Sequence, residues 1–488
     1  MNAPESNTTP PVVEQGSSSA SRRHLKGQLG VTSIVFMVIA AAAPLTVIAG
    51  NVPIAVGLGP GAGAPVGFVI AALVLLVFAV GFVTMTPFVA EAGAFFSYVT
   101  KGLGARLGLS AAFVALVAYT AIQVGIYGYL GWAIDDLVQH YGGPSAPWWV
   151  WSVAVLAFVA VLGYRHIELS SKILGVALVL EILVVIVLDV AIVVQGGPEG
   201  IGATSFTMDA VSSGPIGIAV LFALTGFIGF EATAVFRDEA RDPERTIPRA
   251  TYLAVVIIGV FYAISCWALV EAWGPSQVAD VARAALDSGD NMLLDTAGIY
   301  VGAVVRDLIQ VLLVTSLIAC VLSFHNVIAR YQFALARKGV LPEPLGRVHH
   351  AQHSPYVSSV VQSVTALLFV VAFAAVGLEP LVGVFGSMAG VATVGMVILL
   401  LLTSVAVLVF FRKNPDAQRG RVVSTVVFPA LAVLGLLGSL GLVLSNFTLV
   451  TGQSVMISVG LALVPVVAFV AGLVLRRSKH LSERNDTL

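Results

Sequence analysis

Two glutamates stand within stretches that are otherwise almost entirely apolar, and these residues have the greatest potential for chemistry. Glu181 lies in VALVLEILVVIV, and Glu231 follows GFIGF. Because an unpaired charge at the centre of a membrane costs roughly 3 kcal/mol, Glu181 must be protonated, paired or in contact with water. Its carboxyl group can carry a proton, help to bind Na+, or form a neutral hydrogen bond between helices. The sequence leaves all three roles open.

Glu231 directly follows two glycines, Gly226 and Gly229, where we expect a helix to be interrupted. Its acceptor oxygens suit backbone N–H groups freed by such an interruption. We therefore predict a structural or gating contact for Glu231 in preference to direct contact with a substrate. Gln123 lies within two helical turns of Tyr119 and Tyr127, so these side chains either line a cavity or pack against neighbouring helices.

Other classes of chemistry have no motif in this sequence. Cys266 and Cys320 both lie in apolar runs, and no metal-ligand spacing, HExxH motif or GxSxG motif occurs in the apolar segments. A nucleotide-binding G-x-x-x-x-G-K-[ST] loop is also missing. We expect neither an enzyme nor a metal site, no cofactor beyond a coupling H+ or Na+, and no nucleic-acid partner because no basic patch is present.

The helices that position these residues must cross a lipid bilayer. Of the 488 residues 58% are hydrophobic and only 10% are charged, against roughly 25% charged residues in soluble domains. A span needs about 20 mostly apolar residues, and runs of this kind that do not alternate at period two predict α-helices and exclude a β-barrel. The twelve predicted spans are 31–56, 66–90, 108–136, 148–163, 167–195, 214–236, 248–272, 302–329, 356–376, 380–411, 422–445 and 453–475.

The distribution of positive charge predicts the orientation. With the N-terminus inside, all but two of the 25 Lys and Arg residues fall on the cytoplasmic side, the exceptions being Arg283 and Arg306 in or beside the 273–301 connection. We expect that connection to hold a small surface helix outside the cell. The polar segments 1–26 and 476–488 are predicted to be cytoplasmic tails, the first of them disordered, of a multi-pass protein in the plasma membrane.

Two of the predicted spans contain residues that interrupt helices. Pro44 lies in the middle of the first span and should break it near residues 41–46, because proline lacks an N–H and clashes with the preceding turn. Gly226 and Gly229 should interrupt the sixth span. Interrupted helices leave N–H groups and carbonyls unpaired at the middle of the membrane, where they bind a carboxylate and an ammonium group respectively.

The segment after the sixth span resembles the signature of the amino acid, polyamine and organocation (APC) superfamily. GFIGFEATAVFRDEARDPERTIPRAT matches a pattern of GFE followed by E-x-x-NP-x-R-x-IPRA, with Asp242 in place of the usual Asn. Residues 91–108 and 330–356 are similar to two further segments of the family. The matching residues of the signature are Gly229, Phe230, Glu231, Glu239, Pro243, Arg245, Ile247, Pro248, Arg249 and Ala250.

The resemblance implies an all-α membrane protein with a LeuT-like fold. Its ten-helix core, residues 27–411, would consist of inverted repeats at about 27–195 and 214–411, each opening with an interrupted helix. Residues 412–475 would form two peripheral helices.

The resemblance also implies a substrate site between the interruptions of spans 1 and 6. Substrate-binding residues carried over by position are Ala42, Leu45, Thr46, Val47, Thr225, Gly226, Ile228 and Gly229. The N–H groups of Leu45, Thr46 and Val47 would meet a carboxylate, and the carbonyls of Ala42, Thr225 and Ile228 would meet an amine. Because Thr225 stands where the family often has a gating aromatic residue, Phe222 or Phe227 is the candidate gate, together with Gln123 and Glu231.

We therefore expect a secondary transporter that moves an amino acid or a related small amine by alternating access. Transport would be coupled to protons or sodium, with Glu181 as the candidate coupling residue, or would proceed by exchange. The alternative is a membrane sensor or channel of the same fold. The sequence does not specify the substrate or the oligomeric state.

Overall fold

The computed structural model describes residues 29–89, 95–165, 171–235, 240–349 and 354–475. Within these ranges the chain is helical, and its β pairing is limited to one isolated bridge between Leu29 and Ala240. The predicted tails, residues 1–26 and 476–488, lie outside the described residues, as does Glu239 of the signature.

Ten of the described helices are long and apolar enough to cross a membrane, which makes this a multi-pass membrane protein. The two remaining predicted spans, 148–163 and 214–236, coincide with shorter apolar helices, Trp148–Tyr164 and Ile216–Gly226. The ten long helices are Val31–Gly57, Gly61–Phe88, Ala105–His140, Gly175–Gln195, Pro243–Trp273, Ala303–Arg337, Tyr356–Val376, Pro380–Lys413, Val423–Ser445 and Val455–Val474.

Elements are named in chain order, and two helical runs that include π-turns carry one name each, α2 and α15. The elements are α1 Val31–Ala42, α2 44–57, α3 Ala64–Met85, α4 Phe95–Leu103, α5 Ala105–His140, α6 Trp148–Arg165, α7 Ser171–Gln195, α8 Ile216–Gly226, α9 Ala232–Val235, α10 Pro243–Trp273, α11 Val278–Ser288, α12 Met292–Tyr300, α13 Ala303–Arg337, α14 Tyr356–Val376, α15 380–413, α16 Phe428–Ser445, α17 Phe447–Thr451 and α18 Val455–Val474. Short helices Met208–Ser212 and Pro415–Gln418 lie in connections.

Helices α5 and α15 form the centre of the bundle. Both are mostly buried and pack against each other, whereas α14, α16 and α18 expose most of their apolar surface. Helices that are apolar all round suit a membrane, since lipid can cover the side chains that no other helix covers. The side chains of Leu434 and Val467 are examples of such exposed apolar groups.

The first span is interrupted at Ala43, inside the predicted window of residues 41–46. Ala43 has φ 46° and ψ 67°, and among the described residues it is the only one other than glycine with positive φ. The helix resumes at Pro44, where a missing N–H costs nothing because the first N–H groups of a helix have no partner. It then passes through a π-turn, Val47–Asn51, before ending at Gly57.

The second interruption lies between α8 and α9. Helix α8 ends at Gly226, turns follow over residues 227–231, and α9 begins at Ala232. Gly229 has φ 112°, a conformation that side chains other than glycine rarely adopt. The Gly226 and Gly229 pair therefore marks the interruption, as the sequence predicts.

The 273–301 connection contains two helices, α11 and α12, where the sequence analysis expects one. Gly289, with φ 80°, ends α11, and the side chain of Asn291 caps α12 by accepting hydrogen bonds from Leu293 N and Leu294 N at 3.0 and 3.3 Å. Helix α11 is also joined to α2, because Arg283 Nε donates to the Gly57 carbonyl at 2.8 Å.

Candidate functional site

The two interruptions lie side by side and enclose a small cavity of about 30 Å³, enough for roughly two water molecules. Six of the eight predicted substrate-binding residues line it, while Leu45 and Gly229 do not. The lining residues are Ala41, Ala42, Ala43, Thr46, Val47, Asn51, Ile122, Ile126, Thr225, Gly226, Ile228, Cys320, Phe324 and Phe385. An amino acid, the substrate that the sequence analysis expects, is larger than this space.

An aromatic layer that consists of Tyr129, Phe222 and Phe385 adjoins the cavity, which Phe385 lines. The ring centroids of Phe222 and Phe385 are 6.4 Å apart, and those of Tyr129 and Phe385 are 5.3 Å apart. The Tyr129 ring also packs directly on Gly50 of α2, where a β-carbon would lie 2.6 Å from Tyr129 Cε1. Phe222, a predicted gate residue, thus belongs to this layer.

A second aromatic layer consists of Tyr119, Phe324 and Tyr331, and Phe324 also lines the cavity. Tyr119 lies 6.1 Å from Phe324 and 5.7 Å from Tyr331 between ring centroids. Tyr119 and Tyr129 are ten residues apart on α5, so the two layers lie about 15 Å apart along that helix.

The carbonyl ends of the two interrupted helices converge on one side chain from α10. Tyr262 Oη lies 3.1 Å from the carbonyl oxygen of Ala42, at the end of α1, and 3.3 Å from that of Gly226, at the end of α8. The Tyr262 side chain is completely buried. The hydroxyl thus lies at the negative ends of both helix dipoles.

The N-terminal end of α2 faces Glu181. The backbone N–H of Leu45 interacts with this carboxylate, Ser316 Oγ donates to Glu181 Oε2 at 2.9 Å, and Thr46 Oγ1 lies 3.5 Å from Ser316 Oγ. A carboxylate is favoured at a helix N-terminus because the N–H groups there are unpaired and carry partial positive charge. Glu181 therefore joins α7 and α13 to the first interruption.

The second membrane glutamate, Glu231, lies in the turn directly before α9. Glu231 Oε2 accepts a hydrogen bond from the N–H of Gly229 at 2.9 Å, and Tyr119 Oη on α5 donates to Oε1 of the same side chain. Glu231 is 4% exposed and does not line the cavity. Each interruption thus has a buried glutamate beside it, Glu181 from α7 at the first and Glu231 within the turn of the second.

Two further hydrogen bonds hold α8 in place. Asn51 Nδ2 on α2 donates to the Phe222 carbonyl at 2.8 Å. The hydroxyl oxygens of Thr225 on α8 and Thr393 on α15 are 2.5 Å apart. These contacts fix the position of the second interruption relative to the first and to the central helix α15.

Several backbone groups that the resemblance assigns to a substrate have partners within the protein. Besides the contact of Leu45 with Glu181, Val47 N donates to the Ala43 carbonyl at 3.3 Å, and Ile228 N donates to the Thr225 carbonyl at 3.1 Å. A substrate that used these groups would have to displace their present partners.

Two predicted gate or cavity residues lie away from the cavity. Gln123 donates to the Val321 carbonyl at 3.1 Å and accepts from Gln362 Nε2 at 2.7 Å, within a buried chain of amides that links α5, α13 and α14. Phe227 packs edge-on against Tyr262, with 5.9 Å between ring centroids.

The most informative residues that the sequence analysis does not single out are Tyr262, Ser316, Thr393 and Phe385. Each lies in a long apolar helix, α10, α13 or α15, whose rotation cannot be read from its sequence. One signal was available in principle: a hydroxyl group in an apolar span needs a partner. That signal does not identify which of many Ser, Thr and Tyr residues faces the interruptions.

Among the described residues no group of three or more His, Cys, Asp or Glu side chains is arranged to hold a metal ion. The site therefore consists of backbone groups at helix ends, buried hydroxyls, two carboxyl groups and an apolar lining. Groups of this kind are suited to small charged or zwitterionic molecules.

Comparisons with known proteins agree with this description. The family model described as amino acid permease matches residues 33–484. A branched-chain amino acid permease of Bacillus subtilis (strain 168) is 24% identical over 437 residues, covering 86% of this chain and 88% of the relative. A low-affinity putrescine importer of Escherichia coli (strain K12) is 26% identical over 362 residues, covering 72% and 76%.

A third relative, a serine/threonine exchanger of Bacillus subtilis (strain 168), is 23% identical over 386 residues, covering 77% of this chain and 81% of its own length. The three relatives are thus a permease, an importer and an exchanger, with substrates that include amino acids and a diamine.

Proposed function

This chain belongs to the amino acid permease family, a family of transporters, and we propose that it is a secondary active transporter for a small amino acid with an apolar side chain. It would move its substrate across the cytoplasmic membrane by alternating access. The observation that carries the proposal is the juxtaposition of the two interrupted helices, α1–α2 and α8–α9, around one cavity.

The proposed architecture is the LeuT-like arrangement of twelve spanning helices. In this assignment α1 to α7 form the first repeat, α8 to α15 form the second, and the helices of residues 412–475 are peripheral. The positions of the interruptions support the assignment, because each falls in the first span of its repeat.

In the proposed orientation both termini are cytoplasmic. The Tyr129 layer then lies toward the outside and the Tyr119 layer toward the cytoplasm. Alternating access would consist of opening one layer while the other remains closed, which exposes the cavity to one side at a time.

The cavity lining supports the proposed substrate class. Ile122, Ile126, Phe324 and Phe385 present apolar surface to the space between the interruptions, and apolar surface of this kind favours an apolar side chain. Backbone groups at the helix ends are available for the amino and carboxyl groups common to all amino acids. A small amine is the second substrate class to test, since a putrescine importer is among the relatives.

Glu181 is the proposed coupling residue because it and a substrate carboxylate would compete for one N–H group, that of Leu45. Two carboxylates at one helix N-terminus repel each other. Protonation of Glu181, or neutralisation of its charge by Na+, would relieve that repulsion and let the substrate carboxylate bind. Ion and substrate would thereby bind together, which is the requirement for coupled uptake.

The test is uptake of a panel of radiolabelled amino acids and amines into proteoliposomes, under separate proton and sodium gradients and under exchange conditions. Glu181→Gln is compared with Asp189→Asn, a matched control on the same helix. Asp189 is also buried, and it accepts a hydrogen bond from Ser265 at 2.6 Å as Glu181 does from Ser316.

We expect gradient-driven accumulation by wild type and Asp189→Asn, and loss of accumulation with retained exchange in Glu181→Gln. Equal loss of accumulation in both variants would show that Glu181 has no specific role in coupling. If correctly folded wild type moved no member of the panel under any gradient or by exchange, the transporter proposal would fail in favour of a sensor of the same fold. Flux that does not saturate would indicate a channel.

A further inference from the structure

A second, larger pocket lies at one end of the bundle, where α4, α5, α13 and α18 meet. Its volume is about 650 Å³, which is in the range of sites that hold small organic molecules. The ring of Phe96 lines it and packs edge-on against Tyr331, at 5.7 Å between ring centroids, so the pocket adjoins the Tyr119 layer. Among the described residues, the lining of this pocket and that of the cavity between the interruptions have no member in common.

The pocket is lined by two cationic side chains. Arg106 lies in the first turn of α5, and Lys338 directly follows α13. The Lys338 ammonium lies 5.2 Å from the centre of the Phe96 ring, a distance at which the face of an aromatic ring attracts a cation. The described lining residues include no aspartate or glutamate. The charge of this lining is therefore positive, and it favours an anionic group.

Much of the remaining lining is apolar and reaches α18, a helix that exposes most of its apolar surface. Leu109 on α5 and Leu473 on α18 are examples, and Leu473 is 41% exposed. Helix α18 lies close to α5 here, because a β-carbon at Gly472 would be 2.4 Å from Ser110 Cα. A ligand can therefore place an apolar chain along α18 while its charged group stays beside the two cations.

A lipid with an anionic headgroup combines both properties. In the proposed orientation this end of the bundle faces the cytoplasm, and basic pockets between helices on that side of a membrane suit anionic headgroups. Phosphate oxygens accept strong hydrogen bonds from arginine and lysine. The chain's own segment 476–488 carries more basic than acidic side chains, so its charge does not complement the pocket.

We propose that this pocket binds an anionic phospholipid of the cytoplasmic leaflet, with its phosphate beside Arg106 and Lys338 and one acyl chain along α18. The lipid site goes beyond the transport function, and only the choice of leaflet rests on the orientation proposed above.

The first test compares ligands on the wild-type protein. The purified full-length chain, stripped of lipid in detergent, is titrated with dioleoyl phosphatidylglycerol or dioleoyl phosphatidylcholine. Binding is followed by thermal stabilisation and by native mass spectrometry, which counts the lipids retained. Glycerophosphoglycerol supplies the same anionic headgroup without acyl chains. We expect phosphatidylglycerol to bind about 25-fold more tightly than phosphatidylcholine, or about fivefold for each cation of the pocket, and glycerophosphoglycerol to give no stabilisation.

The second test removes both charges in the variant Arg106→Gln/Lys338→Gln. The apparent Kd of phosphatidylglycerol should rise about 25-fold, to that of phosphatidylcholine. The matched control is Arg412→Gln/Arg421→Gln, because these two exposed cations do not line the pocket. The control variant should bind phosphatidylglycerol as tightly as wild type does.

Equal binding of the two lipids by wild type would overturn the proposal, even if Arg106→Gln/Lys338→Gln failed to fold. An equal loss of affinity in the control variant would assign the preference to general surface charge and would also overturn it. If glycerophosphoglycerol bound as tightly as the lipid, the ligand would be a soluble phosphodiester and the lipid site would be wrong. These measurements involve no transported substrate, so a failure of the transport proposal in the uptake panel would leave their outcome unchanged.

Discussion

Asn51 donates from its side-chain amide to the backbone carbonyl of Phe222, 2.8 Å away, and so joins the two interrupted helices on the side of the Tyr129 layer. Asn51 is 2% exposed. We predict that Asn51→Ala lowers the free energy of unfolding by roughly 1–2 kcal/mol, because the buried Phe222 carbonyl loses its partner.

Thermal unfolding in detergent checks this prediction. The matched control is Asn414→Ala, since Asn414 Nδ2 also donates to a backbone carbonyl at 2.8 Å but lies on the exposed end of α15. Equal effects of the two substitutions would contradict a special role for the Asn51 contact.

Gly50 is predicted to be intolerant of any side chain. A β-carbon there would lie 2.6 Å from Tyr129 Cε1, and the buried ring cannot move without displacing Phe385. Overpacking of this kind costs about 1–3 kcal/mol. We expect Gly50→Ala to lower the uptake rate at least tenfold by preventing closure of the Tyr129 layer.

Gly30→Ala is the control for Gly50→Ala, because no atom lies within 4 Å of the β-carbon added at Gly30. Uptake by Gly30→Ala should equal that of wild type. Normal uptake by Gly50→Ala would show that the Tyr129 layer has more room than the structure indicates.

The hydrogen bond from Tyr119 to Glu231 joins α5 to the turn before α9, so removing it should favour opening of the Tyr119 layer. Cys320 provides a native reporter, because its side chain lines the cavity. In a Cys266→Ala background, we predict that Tyr119→Phe speeds alkylation of Cys320 severalfold when a membrane-impermeant maleimide is applied from the cytoplasmic side.

Tyr98→Phe serves as the comparison in that experiment, since Tyr98 is a buried tyrosine whose hydroxyl lies 2.9 Å from the Thr86 hydroxyl, away from Glu231. In the Tyr98→Phe variant, Cys320 should be alkylated at the same rate as in the Cys266→Ala background alone. If Tyr119→Phe left the rate unchanged, the contact with Glu231 would be structural and would not control access.

Gln123 is predicted to affect stability and leave substrate affinity unchanged. Gln123→Leu removes a donor to the Val321 carbonyl and an acceptor for Gln362, both buried, and should cost roughly 1–3 kcal/mol. Thr225→Val, in contrast, changes a residue that lines the cavity and should raise the KM. KM and melting temperature are measured for both variants. A lower melting temperature with unchanged KM is expected for Gln123→Leu, and a raised KM is expected for Thr225→Val.

The sequence predicts the ten long apolar helices and the two interruptions because each depends on local chemistry. Long apolar runs mark the spans, Pro44 removes an N–H in the first span, and Gly229 permits the positive φ of the second interruption. Glu231 was also expected to accept from freed backbone N–H groups, and it accepts from Gly229.

Contacts between distant helices could not be predicted in the same way. Tyr262 and Ser316 lie in helices that are apolar nearly all round, so no periodic pattern shows which face meets the interruptions. Gln123 illustrates the same difficulty, because its polar side chain suits either a cavity or a buried amide network. Only the packing of α5 against α13 and α14 decides between them.

The link between α11 and α2 has a consequence for pharmacology. Arg283 on α11 is bonded to the last turn of α2, and Trp132 Nε1 on α5 donates to the Gly289 carbonyl at 3.1 Å, just after α11. Any opening of the Tyr129 layer that moves α2 must also move α11. In the proposed orientation α11 lies outside the cell, so an antibody fragment that clamps α11 against α5 should arrest the transporter without entering the substrate site.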